Sequence, residues 1–301
     1  MTGVLSQAEP SVPPARRWSP AHLAALLGAN FALALGPWLV RLADTGPVAA
    51  GFWRLTIALP VILALSLREP PSRRHVAGGT LALVAGAGAF FALDLASWHI
   101  GIATTKLGNA SLFGNSGSVI LMAWGLIAAR RAPRALEVAA IVAALAGAAL
   151  LMGGSLEVSH ASFVGDLFCL LAGFFYAFYI LMLRPARERL GQFSLLLWST
   201  LTGAPILLVV ATMLGEPILP DDWRPLLMLA MSSQVIGQGL LIYSLKNFAP
   251  LVIGLALLTQ PAISALTGWL AFGEVLSAGD LLGMLLLAGA LTMARAGDKP
   301  A

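Results

Sequence analysis

Asp94 is the only acid in a long apolar run, residues 76–98. A carboxylate in such a setting is costly unless it is paired or reaches water. It is read either as a contact for a substrate amine or as a proton-coupling group. A structural cap, or an ion pair with Lys106 or Arg54 near the surface, is the alternative. Trp98 lies four positions on, and so on the same helical face, and His99 follows it. Gln234 and Gln238 are also four apart, with Tyr243 further along. Neutral amides can hold a zwitterion without adding buried net charge, or they can bond neighbouring helices. Tyr176 and Tyr179, with Phe175 beside them, either wall a site for a flat apolar molecule or simply pack. Asn30 and Trp38 fall in the first apolar run, Asn115 within Gly108 to Ser118, and Gln260 next to Pro261. These residues are the expected lining of a substrate cavity.

Other chemistries lack their residues. Gly114-Asn115-Ser116-Gly117-Ser118 approaches a nucleophile elbow but lacks the final glycine and a preceding strand. His22, His75, His99 and His160 have no metal-ligand spacing, and there is no Walker A motif. Cys169 is the single cysteine, so no intrachain disulfide forms. No catalytic residue, cofactor or metal is expected.

The elements that must position these groups follow from composition. The chain has 301 residues, of which 58% are hydrophobic and 11% charged, and its mean hydropathy is +0.86. The 18 basic and 14 acidic side chains cannot coat a water-soluble fold of this size. That excludes a soluble enzyme, a nucleic-acid partner and a disordered scaffold. Residues 1–18 are polar and proline-rich, and no cleavable signal peptide is expected. A helix crosses the hydrocarbon with about 20 apolar residues. Ten runs qualify, at about 20–40, 47–67, 76–98, 107–129, 135–154, 163–183, 193–214, 224–245, 250–272 and 278–296. They are continuous rather than alternating, which predicts helices and not a barrel.

Placing the N-terminus inside puts Arg16, Arg17, Arg68, Arg73, Arg74, Arg130, Arg131, Arg134, Arg184, Arg187, Arg189, Lys246, Arg295 and Lys299 on one side. Arg41, Lys106 and Arg224, with Arg54 at the outer end of the second span, fall on the other. This bias predicts that both termini are cytoplasmic. A shift of 143 residues aligns the halves: Arg41 with Arg184, Gly101–Ser118 with Ser244–Pro261, and Glu137 with Asp280. Five spans per half is odd, so the second half must run inverted. The expected fold is an all-α integral membrane protein with ten transmembrane helices in two inverted five-helix repeats. The expected division is a tail at 1–19, repeats at 20–154 and 163–296, and a tail at 297–301. Such symmetry marks secondary transporters. Ser118 and Pro261 are aligned weak points, expected either as hinges or as tolerated kinks. Ala139, Ala143 and Gly147, and Gly279 with Gly283, predict close packing of the fifth and tenth spans, within one chain or across a homodimer.

The segment Pro261 to Gly289, with Gly273-Glu274, Gly283 and Gly289, resembles the end of an EamA domain. Phe52-Trp53-Arg54 is similar to that family's opening of the second helix. Span number, length and topology resemble the drug/metabolite transporter superfamily, including aromatic-amino-acid exporters of the YddG type. The first half departs from the pattern, with Ser118 for the helix proline and Arg131 for the acid. The resemblance implies an exporter of small metabolites, amino acids foremost, by alternating access from the plasma (inner) membrane. Such a protein has small-molecule and bilayer partners and works as a monomer or homodimer. Export of nucleosides or cationic compounds, or a channel or lipid-translocating role, is the alternative.

Overall fold

In lipid every backbone N–H and C=O must find a partner within the chain, and helices meet this locally. The structure, a computed structural model, describes residues 19–76, 78–105, 110, 113–153, 163–272 and 276–297. Among the described residues there is no strand, and the chain makes ten helical passes. The first, α1, is broken into Pro20–Ala34 and Gly36–Leu42. Next come α2 (Pro47–Ser66), α3 (Gly79–Thr104), α4 (Ser116–Ala128) and α5 (Ala135–Gly153). The second half holds α6 (Phe163–Arg189), α7 (Gln192–Met213) and α8, which is Arg224–Leu229, a π-helical stretch Ala230–Gln238 and Gly239–Leu245. Then α9 is Pro250–Leu257 plus Gln260–Phe272, and α10 is Ala278–Gly297. Six passes are long and apolar enough to cross a membrane as they stand; α4, α5, α9 and α10 hold shorter apolar stretches, Ser116–Ala128, Ala135–Leu151, Pro250–Ile263 and Ala278–Ala294.

The boundaries differ from expectation where polarity misled. α3 runs to Thr104, six residues past the expected end, and α6 continues through Arg189. Lipid demands apolar side chains, but helix formation does not, so a helix can carry its polar turns into the headgroup layer. α1 breaks at Leu35 ahead of Gly36-Pro37, a break not expected from the apolar run.

The contacts obey a twofold exchange of halves. α3 packs on α6 as α8 packs on α1; α3 meets α7 as α8 meets α2; α4 meets α6 as α9 meets α1. Three further pairs, α2 with α7, α4 with α9 and α5 with α10, map onto themselves and so lie along the axis. The α2–α7 pair is tied reciprocally at both ends. Glu69, just past α2, accepts from Phe193 N (2.9 Å) and Ser194 N (3.0 Å) at the start of α7. Glu216, just past α7, accepts from Val48 N (3.2 Å) and Ala49 N (2.8 Å) at the start of α2. Each carboxylate satisfies helix N-terminal donors that have no intrahelical partner. The α5–α10 pair meets at glycines: a Cβ on Gly147 would lie 2.7 Å from Gly283 O, and one on Gly283 2.8 Å from Gly147 O. Of the small residues expected to pack there, Gly147 and Gly283 do so within one chain, whereas Ala139 is exposed and a Cβ on Gly279 would meet only Ser277 of its own segment.

The ten passes put both ends of the helical bundle on one face, here the terminal face, with the α2–α3, α4–α5, α6–α7 and α8–α9 turns. The other face, the distal face, carries the α1–α2 and α7–α8 turns and the ends of α3, α5 and α9.

Candidate functional site

One cavity lies in the middle of the bundle, about 940 Å³ with its open mouth included. α1, α2, α3, α4, α6, α8 and α9 all contribute to it. Its wall includes Arg54 from α2 and Asp94 from α3. At 1.5 Å rise per residue, Arg54 lies about 10 Å, and Asp94 about 15 Å, below the distal ends of their helices. Asp94 is therefore nearer mid-membrane than the expected end of span three implied. Arg54, read from sequence as lying at the outer end of its span, is instead 6% exposed and deep in the bundle.

The two charges share the wall without forming a direct pair. Among the described residues no acid lies within 4.0 Å of the guanidinium, and no hydrogen bond or ion pair reaches Asp94. Lys106, the other partner considered for Asp94, lies outside the described residues. Arg54 is held from behind. Its Nε donates to Gln234 Oε1 (3.2 Å), whose Nε2 donates to Thr200 Oγ1 (3.0 Å), and its guanidinium carbon lies 5.6 Å from the centre of the Phe91 ring. Gln234 and Thr200 are fully buried, so this chain orients the arginine rather than facing the cavity.

The expected lining residues divide. Asp94, Trp98, Asn115, Tyr176, Gln238 and Gln260 line the cavity, as do Ser118 and Pro261. Asn30, Trp38, His99, Tyr179, Gln234 and Tyr243 do not. Asn30 is fully buried; its Nδ2 donates to Ala256 O (2.9 Å), and its Oδ1 accepts from Gln260 Nε2 (3.3 Å). It bonds the break in α9, where Ala256 O also accepts from Thr259 N (3.0 Å) and Thr259 Oγ1 (2.6 Å). Tyr179 stacks on Phe91 (4.5 Å, 18°) and donates to Gln238 Oε1 (3.2 Å) behind the wall. His99 is fully buried against Gly51, and neither ring nitrogen has a hydrogen-bond partner among the described residues. Trp38 is 44% exposed on the second segment of α1. Tyr243 lies towards the terminal face, its ring 5.8 Å from His22. Tyr176 differs: its hydroxyl is buried at the cavity wall with no partner among the described residues. Sequence reasoning missed Arg54 and Phe91. The signal for Arg54 was present, a charge seven residues after Pro47 inside an apolar run.

The helix discontinuities frame the floor. α4 begins after a turn at Asn115, and the first segment of α9 ends at Leu257 ahead of a turn at Leu258 and Thr259. Asn115 and Leu258 are 143 residues apart, the repeat shift. Pro261 is the second residue of its segment, where its missing N–H costs no helical bond. Below the floor α4 and α9 close tightly: a Cβ on Gly254 would lie 2.7 Å from Ser118 O, and every residue of Pro250–Leu257 is buried. The cavity thus reaches towards the distal face and is sealed towards the terminal face.

Comparison with known proteins agrees with this architecture. Residues 163–295 match the EamA-like transporter family. An uncharacterized transporter of Archaeoglobus fulgidus is 24% identical over 246 residues, covering 78% of this chain and 83% of its own. A solved crystal structure superposes with a TM-score of 0.78 at 16% identity, over 93% of this chain and 99% of the other, which shows a shared fold.

Proposed function

We propose that this chain, whose residues 163–295 match the EamA-like transporter family, is a transporter whose cargo is a zwitterionic amino acid, its carboxylate on Arg54 and its amine on Asp94. The observation that carries this is the pair of opposite charges on one mid-membrane wall, neither neutralised by the other. A buried cation and anion held apart are costly, and a ligand bearing both complements repays each. Phe91, Trp98 and Tyr176 supply apolar and aromatic surface for a hydrophobic side chain. The unpartnered Tyr176 hydroxyl and the Gln238 and Gln260 amides offer neutral hydrogen bonds.

The biased distribution of Lys and Arg supports a cytoplasmic terminal face in the plasma membrane. The cavity is then open outward, and export proceeds as the α4 and α9 discontinuities, with Ser118 and Pro261 beside them, let the halves rock to the inward state. With Asp94 the one acid in the wall, cargo moves either down its gradient or with a proton on that carboxylate.

The test is counterflow into liposomes with labelled phenylalanine, leucine, a nucleoside and a cationic drug. Phenylalanine exchange should saturate, whereas phenethylamine, which lacks the carboxylate, and N-acetylphenylalanine, which lacks the amine, should not compete. Competition by either compound as strong as that of phenylalanine overturns the assignment of its charge partner. Failure of every neutral amino acid overturns the substrate class. Transport that never saturates indicates a channel. Asp94→Asn should change transport or its pH dependence; if both stay as they were, Asp94 has no functional role.

A further inference from the structure

A second cavity lies at the terminal face, between the end of α2, the end of α6 and the start of α7. Three arginines line it: Arg68 and Arg73 from the α2–α3 connection, and Arg187 from the last turn of α6. Glu69 also lines it, but its carboxylate is committed to the α7 N-terminus, accepting from Phe193 N, Ser194 N and the Ser194 hydroxyl (2.6 Å). No carboxylate lies within 4.0 Å of any of the three guanidiniums among the described residues. Arg187 is 7% exposed and anchored through Nε to Ile242 O (3.2 Å) and Nη1 to Leu190 O (3.0 Å), which leaves its second terminal nitrogen without a protein acceptor. The side chains of Arg68 and Arg73 make no hydrogen bond to a described residue.

Glu69 is the one acid of this wall and is already bonded to the α7 N-terminus, so the three arginines leave the concavity with an excess of positive charge that a further anion would offset. Guanidinium groups present forked donors that match phosphate oxygens. The pocket also has an apolar rim, Leu65 and Phe193. A phosphate joined to acyl chains fits both parts: its headgroup among the arginines, its chains leaving over the Leu65 and Phe193 rim. Basic pockets between helices at the cytoplasmic level suit anionic lipid headgroups.

We propose that this cavity is a phosphate-binding site for an anionic phospholipid, held by Arg68, Arg73 and Arg187. The lipid docks beside the carboxylate tie between α2 and α7. The site is separate from the central cavity, and its test needs no transport substrate.

The experiment is native mass spectrometry and thermal unfolding of the purified protein in neutral detergent, titrated with phosphatidylglycerol, phosphatidylcholine, glycerol 3-phosphate or inorganic phosphate. Phosphatidylglycerol should bind and raise Tm, and phosphatidylcholine should not. In R68Q/R73Q the phosphatidylglycerol affinity should fall about 30-fold, the loss expected for two arginines beside an anionic headgroup. R68K/R73K, which keeps the charge, should retain most of it and so separates charge loss from misfolding. Equal binding of phosphatidylglycerol to wild type and R68Q/R73Q overturns the site. So does equal binding of phosphatidylcholine and phosphatidylglycerol to the wild type. Equal effects of inorganic phosphate or glycerol 3-phosphate overturn the lipid assignment and make the ligand a soluble phosphate.

Discussion

Arg54 and Asp94 gain their meaning from each other. Each alone is a charge in an apolar helix; on one cavity wall, without a direct bond, they are the two poles of the proposed amino-acid site. A hydrogen bond to a charged group contributes about 1.5–3 kcal/mol. Arg54→Gln should therefore raise the KM for phenylalanine roughly 10- to 100-fold in counterflow. Unchanged KM would remove the arginine from the site. Asn30 lies behind the cavity wall, bonded to the break in α9 and to Gln260. Asn30→Ala removes one of the donors to Ala256 O and the acceptor of Gln260 Nε2, which should cost about 0.5–1.5 kcal/mol in thermal unfolding while the KM changes little. A large KM effect with unaltered Tm would place Asn30 in the cavity after all.

At the scale of elements, the helices divide by how they are joined. α2 and α7 are tied at both ends by Glu69 and Glu216, and α5 and α10 meet at Gly147 and Gly283. These pairs are the scaffold. Glu216→Ala removes two hydrogen bonds at the start of α2 and should lower stability by about 0.5–2 kcal/mol, in the range of a lost helix cap. Glu69→Ala should do the same at α7. A pair in which only one variant is destabilised would show that the tie is not reciprocal. α4 and α9 instead carry turns at matched positions below the cavity. Pro261→Ala should therefore slow exchange in liposomes more than it alters unfolding, and unchanged rates would remove the hinge.

The whole molecule is a pseudo-twofold bundle whose central cavity reaches one face. Its orientation is open to labelling, because the single cysteine, Cys169, is fully buried and gives little background. Arg68→Cys should react with a membrane-impermeant maleimide only from the cytoplasm, and Leu219→Cys, 73% exposed in the wild type, only from outside. The reverse pattern would invert the protein and turn the proposed export into uptake from an inward-open state.

Span number, all-helical class and the pairing of halves were legible from the chain, because lipid enforces apolar length and repeats enforce register. Glu137 and Asp280, aligned by the repeat, do both sit in first turns, of α5 and α10. The candidate site was half legible. Polar residues in apolar runs are visible in a sequence, but which way a helix turns them depends on its neighbours. Gln234 and Gln238 share a spacing and a π-helical stretch, yet one supports Arg54 from behind and the other lines the cavity. Asn30 looked like a cavity residue because the break in α9 that it serves lies 226 positions away in the chain. Arg54 looked like a surface charge because only packing could show how deep it sits. The sequence by itself determined what each helix must exclude from lipid. The tertiary structure decided which of the excluded groups meet, since that follows from distances between helices that no local pattern encodes.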